Sequence, residues 1–143
     1  MNANAELLNF VYQNSQMGVD TLGQLIDITD NQGFREYLET QKESYEEYHK
    51  KARQMLNENG YDEKGLNAFE KIRTYLMVNL QTMGDNSVSH IAEMLIQGSS
   101  MGITDAVKKI HEYEGQAEKD ILKLMKELQV FEEKNVEKLK EYL

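Results

Sequence analysis

Tyr12-Gln13-Asn14-Ser15-Gln16-Met17-Gly18-Val19 recurs in altered form as Ile96-Gln97-Gly98-Ser99-Ser100-Met101-Gly102-Ile103. Within six positions a Gln, a Ser and a Met-Gly pair are identical at an offset of 84 residues (97 − 13 = 84, and the same for the other three). Apolar positions outside the segment match at this offset too, as Leu7 does with Ile91. We interpret the two segments as two copies of one helix, although unrelated amphipathic helices also resemble one another.

Each copy is predicted to be the first helix of a helical hairpin. Apolar residues recur at three- and four-residue steps through both copies, which is typical of one face of an α-helix. A polar turn around Gly33 follows the first copy, Gly115 follows the second, and a further amphipathic pattern comes after each turn. The sequence therefore predicts hairpin one over residues 4–59 and hairpin two over residues 87–142.

A shorter amphipathic segment connects the two hairpins. Leu66, Phe69 and Ile72 begin a pattern that predicts a helix over residues 66–83, roughly 27 Å long, which would cross the length of a bundle. Two hairpins with such a crossover form an antiparallel four-helix bundle, and we predict one all-α domain over residues 1–143. A plain up-and-down bundle with an extra helix is the rival arrangement.

Two short motifs lie on the helices that would carry ligands in a metal-binding bundle. Glu46-x-x-His49 is on the predicted second helix, and an Asn-Ser-Gln sequence begins at Asn14 on the first. With the two-hairpin plan, these motifs resemble the ferritin-like superfamily in its rubrerythrin-like form, whose motifs are Glu-x-x-His and Glu-Ser-Gln. The resemblance implies a ferritin-like fold, a di-metal site and oxidase, peroxidase or iron-storage activity.

The sequence departs from that pattern at the ligand positions. Asn14 stands where a ligand Glu is expected, Gly98 takes the matching place in the repeat, and no His follows His111. A pair of divalent cations needs several anionic ligands, which Asn and Gly do not supply. Glu46 and His49 remain as candidate metal ligands, but the helical phase turns Glu46 away from the buried line and puts His49 at its edge. We therefore favour a solvated Glu46 and a boundary His49, and we predict no cofactor.

Polar side chains interrupt the predicted buried line of the second helix. Gln41, Tyr45 and Tyr48 lie on it, and buried Tyr and Gln side chains need hydrogen-bond partners. We expect them to bond to one another and to Asn14 across the bundle, which would fix its register. The alternative is a small-molecule pocket. The charged end of the last helix, residues 132–141, is predicted to be a solvated face.

Composition excludes several classes of function. The net charge is −9, from 25 acidic and 16 basic residues, and such a surface repels the phosphates of nucleic acids. No apolar run approaches the roughly 20 residues of a membrane span, and the first residues lack the pattern of a signal peptide. We therefore expect a cytoplasmic protein that binds neither membrane nor nucleic acid. The chain has no Cys, and no serine nucleophile elbow or phosphate-binding loop is recognisable.

These observations predict a non-enzymatic interaction or structural protein that forms a homo-oligomer or binds a protein partner. Phe10, Gln13 and Met17 lie on the outer flank of the first helix and are the predicted partner-facing surface. The alternative is a ferritin-like protein that binds iron, manganese or zinc through an atypical set, with Glu93 or Glu114 joining the Glu-x-x-His pair. A bundle that binds an apolar ligand is a third possibility.

Overall fold

A computed structural model describes residues 2–63, 69–81, 84 and 86–143, and all the regular structure in these ranges is helical. The prediction of an all-α fold is therefore confirmed. The five helices are α1 (Ala3–Ile28), α2 (Gln32–Glu58), α3 (Glu70–Gln81), α4 (Val88–Tyr113) and α5 (Lys119–Lys140). The predicted crossover helix, 66–83, corresponds to α3, and its residues 66–68 and 82–83 lie outside the described ranges.

Polar side chains define the starts of three helices. The side chain of Asn2 accepts hydrogen bonds from the amides of Asn4 and Ala5, Asn31 caps α2, and Ser87 caps α4. Since the first amides of a helix have no partner within it, a capping oxygen at this position selects where the helix begins. At the other end of α2, Gly60 has a φ of 72°, which a residue with a Cβ rarely adopts.

The helices associate mainly as two pairs. Helix α1 packs most extensively on α2, and α4 on α5, while α1 also contacts α4 and α5, and α3 packs on α4. Apolar side chains of all five helices form one buried cluster. Within the described residues, no helix combines the length and the apolar character that crossing a membrane requires.

The outer flank of α1 is buried, so the predicted partner-facing surface is wrong. Phe10, Gln13 and Met17 are only 3%, 5% and 8% exposed. The ring of Phe10 packs against that of Phe69, with ring centroids 4.8 Å apart, and Met17 shares a cavity with Leu76 of α3. Phe69 and Leu76, which lie between the two helix pairs in sequence, therefore help to cover this flank of α1.

Candidate functional site

A carboxyl group lies in the middle of the core. Glu132 of α5 is 3% exposed, so the prediction of a solvated side chain is wrong at this position. Its position on the helix gives the reason. Leu128 is four residues before Glu132, Asn135 is three residues after it and Leu139 is seven residues after it, so all lie on one face of α5. All three side chains are buried. Glu133, the next residue, is about 100° further round the helix and is exposed.

Two neutral side chains donate hydrogen bonds to this carboxyl group. The Asn14 Nδ2 group donates to Glu132 Oε1 over 2.9 Å. The Tyr45 hydroxyl donates to Glu132 Oε2, also over 2.9 Å. Helices α1, α2 and α5 thus meet through one buried polar network, in which each carboxylate oxygen accepts one bond. We call these three side chains the Glu132 network.

The repeated Met-Gly pair places a glycine beside the network on each copy of the helix. A Cβ atom at Gly18 would stand 2.7 Å from the ring of Tyr45, so only glycine lets this ring lie against α1. A Cβ atom at Gly102 of α4 would stand 3.6 Å from Asn14 Nδ2, which is ordinary contact. The first glycine is therefore required for the position of Tyr45, and the second leaves space beside the amide of Asn14.

Burial dominates the electrostatics of the network. Desolvation raises the pKa of Glu132 to about 7, and the hydrogen bonds from Tyr45 and Asn14, which favour the ionised form, offset part of this rise. The pKa of Tyr45 is well above its ordinary value, first because the hydroxyl is buried and then because it faces the negative charge of Glu132. The carboxyl group therefore gains or loses its proton near neutral pH, while the phenol keeps its own.

A cavity of about 50 Å³ adjoins the network. Its polar lining includes Asn14, Gln41, Tyr45, Ser99, Glu132 and Asn135. Leu22, Leu76 and Leu95 contribute to its apolar walls. The side-chain oxygen of Gln41 is buried and has no hydrogen-bond partner. The site thus combines a space, an ionisable acid and an acceptor without a donor.

The predicted polar strip of α2 forms only part of its expected bonds. Tyr45 does bond across the bundle, but to Glu132, and Asn14 joins the same carboxyl group from the other side. The Tyr48 hydroxyl donates to the backbone carbonyl of Glu127 over 3.3 Å. Glu132 and Asn135 were missed by the sequence reasoning, although their spacing from Leu128 and Leu139 is the signal that would have found them.

The predicted metal ligands lie away from this cavity. Glu46 is exposed, and His49 is half-buried with its ring stacked on Tyr12, the centroids 4.3 Å apart. Burial, followed by the positive charge of Arg53, lowers the pKa of His49. In the described ranges, no three His, Asp or Glu side chains are grouped as a metal site would require.

The cavity itself does not fit a pair of divalent cations. The described residues of its lining include one carboxyl group, Glu132, and no imidazole. Two such cations require several anionic or imidazole ligands, and neutral amides and phenols do not replace that charge.

No protein-family model, curated protein or solved structure matches the chain.

Proposed function

We propose that this chain is a ferritin-like bundle without a complete di-metal centre, and that it acts as a non-enzymatic interaction or structural protein. The observation that carries the proposal is the chemistry of the Glu132 network. Ferritin-like carboxylate proteins direct acids from all four bundle helices, and His from two of them, at one point of the core. Among the described residues around the cavity, α1 offers Asn14, α2 offers Tyr45, α4 offers Gly98 and Gly102, and only α5 offers an acid.

The hydrogen bonds of Glu132 support a structural role for that acid. Amide and phenol donors satisfy both of its oxygens at 2.9 Å, so its charge is stabilised by neutral groups. A buried polar network that joins side chains of several helices fixes the register of those helices. Asn14, Tyr45 and Glu132 therefore hold α1, α2 and α5 in one arrangement.

The surface for partners lies elsewhere than the flank of α1. Met77 and Val78 of α3 are 39% and 50% exposed, and Val130 of α5 is 46% exposed. Large apolar side chains that stay in contact with water favour association, with a second copy or with another protein. We propose the exposed side of α3, marked by Met77 and Val78, as the first region to examine for self-association.

One specific observation favours the alternative, a metal-binding protein with an atypical ligand set. The Nε2 atom of His49 is buried without a hydrogen-bond partner. An imidazole nitrogen in that state has a free lone pair or an unused proton. Glu46, one turn earlier on α2, is the acid that the sequence motif pairs with it.

Elemental analysis together with native mass spectrometry tests both possibilities on the same sample, purified without chelator or affinity metal. We expect no stoichiometric iron, manganese or zinc, because Glu132 is the one charged side chain among the described residues that line the cavity. One or two of these ions per chain would overturn the proposal. The double variant Glu46→Ala with His49→Ala would then lose the metal if that pair binds it, whereas Glu47→Ala, a change at the neighbouring exposed acid, would keep it.

The mass of the native protein tests the proposal that the chain associates with copies of itself. We expect a defined oligomer, and we expect Met77→Asp with Val78→Asp to dissociate it, because two charges would then replace exposed apolar contact area. A monomer at high protein concentration contradicts self-association.

A further inference from the structure

The cavity beside the Glu132 network has unused capacity to accept hydrogen bonds. Gln41 Oε1 is buried and accepts none. Each oxygen of Glu132 accepts one side-chain bond, although a carboxylate offers about four lone-pair positions in all. An occupant that donates protons in two directions would satisfy groups that the protein alone leaves unsatisfied.

The charge of the cavity is also unbalanced. None of the described residues that line it is basic, and the two donors to Glu132 are neutral. A buried carboxylate without a positive partner is destabilised by the loss of its hydration. A small cation with N–H groups in the cavity would supply the missing charge and donate hydrogen bonds to the same oxygens.

The volume favours an occupant of a few atoms. One water needs about 10–15 Å³ of such space, and a cavity of about 150 Å³ holds benzene. A volume of about 50 Å³ therefore suits roughly three to five non-hydrogen atoms at most. The leucine walls favour an alkyl group over further polar atoms.

We propose that this cavity binds a short primary alkylammonium ion, of the size of methylammonium or ethylammonium. Its N–H groups donate to Glu132 and to Gln41 Oε1, and its alkyl group contacts Leu76 and Leu95. This inference rests on the proposed function in one respect, since the cavity must not hold metal ions. Elemental analysis tests that condition, and the titration described next tests the ligand, so the two can fail separately.

The experiment is an NMR titration of the whole chain with methylammonium chloride and with ethylammonium chloride. Gly18, Gly98 and Gly102 line the cavity, so their amide signals serve as reporters, while Gly33 and Gly115 lie at the ends of the hairpins and serve as controls. We expect saturable shifts at the three reporters, with a dissociation constant on the order of a millimolar for so few atoms. Sodium chloride and tetramethylammonium chloride at equal ionic strength should leave the reporters unshifted, since neither donates an N–H bond.

Two variants test the assigned groups. Glu132→Gln removes the charge and keeps the shape, so it should weaken binding at least tenfold, whereas Glu133→Gln makes the same change on an exposed residue and should bind as the wild type does. Gln41→Leu removes an oxygen with no protein partner and so leaves the known hydrogen bonds of the network intact. It should also weaken binding, and it keeps the proposal testable if Glu132→Gln does not fold.

Binding should also depend on pH in one direction. Among the described residues that line the cavity, only Glu132, Tyr37 and Tyr45 titrate, and burial raises the pKa of both tyrosines far above neutral. Because the ion requires ionised Glu132, affinity should be about tenfold higher near pH 8 than near pH 6. Equal responses to methylammonium and sodium, equal affinity in wild type and Glu132→Gln, or no reporter shift at saturating methylammonium would each overturn the proposal.

Discussion

Glu132→Gln is expected to raise the free energy of unfolding near pH 8 by up to about 3 kcal/mol and to change it little near pH 4. Burial raises the pKa of Glu132 from an ordinary 4.5 to about 7, so the folded chain holds this proton more tightly than the unfolded chain does. The stability due to the protonated acid is fully present below about pH 4.5 and is lost as the pH rises through about 7. Each pKa unit corresponds to about 1.4 kcal/mol, which sets the size of the effect.

Glutamine is the right replacement because it keeps the hydrogen bonds. Its oxygen accepts from Asn14, and its amide group donates to the oxygen of Tyr45. Urea unfolding across a series of pH values, for the wild type and for Glu132→Gln, isolates the contribution of this one group. Glu133→Gln is the matched control and should follow the wild-type profile, since that residue is exposed. Parallel profiles for wild type and Glu132→Gln would contradict the prediction.

Gly18→Ala and Gly23→Ala are expected to change stability in opposite directions, although both add one methyl group to α1. At Gly18 the new Cβ would stand 2.7 Å from the ring of Tyr45, which is buried, bonded to Glu132 and packed edge-on against Phe131. The ring cannot yield without breaking the network, so we expect a loss of about 2 kcal/mol. At Gly23 the nearest atom is the mobile Lys42 Cε at 3.9 Å, and alanine should add roughly 0.5–1 kcal/mol through its helix propensity.

Urea unfolding of the two variants at one pH measures this difference directly. Gly23→Ala also controls for the general effect of replacing a glycine in α1. The difference between the two free energies of unfolding therefore gives the cost of the clash with Tyr45. If Gly18→Ala proved as stable as Gly23→Ala, that result would contradict the close contact between Tyr45 and α1.

The helices could be predicted from the sequence because their signals are local. A chain without Pro, with apolar residues at helical steps and with polar or glycine turns, specifies an all-α protein before any tertiary contact is known. Which sides of α1 are exposed to solvent could not be predicted in the same way. Its apolar stripe is broad, and whether the flank of Phe10 and Met17 meets solvent depends on where α3 docks, which is a tertiary property.

The centre of the site was partly predictable. Helical phase placed Gln41 and Tyr45 on a buried face, and Asn14 was the expected partner across the bundle; the structure puts all three around the cavity. Glu132 was missed because it lies in a charged segment whose other acids are exposed. The prediction relied on the charged composition of that segment and not on the position of Glu132 on the helix. A short motif drew attention to Glu46 and His49 instead, yet a motif gives spacing on one helix and not the position of the helices that must complete a site.

The Glu132 network also bears on the order of folding. Its two bonds join residues 118 and 87 positions apart, whereas each hairpin forms from contacts closer in sequence. Contacts of long separation form after local ones, because closing the chain costs entropy first. We expect φ-values near zero for Asn14→Ala and higher values for apolar contacts within each hairpin. Docking in a wrong register would leave a buried acid without donors, so the same carboxyl group that weakens the native state also raises the energy of misassembled ones.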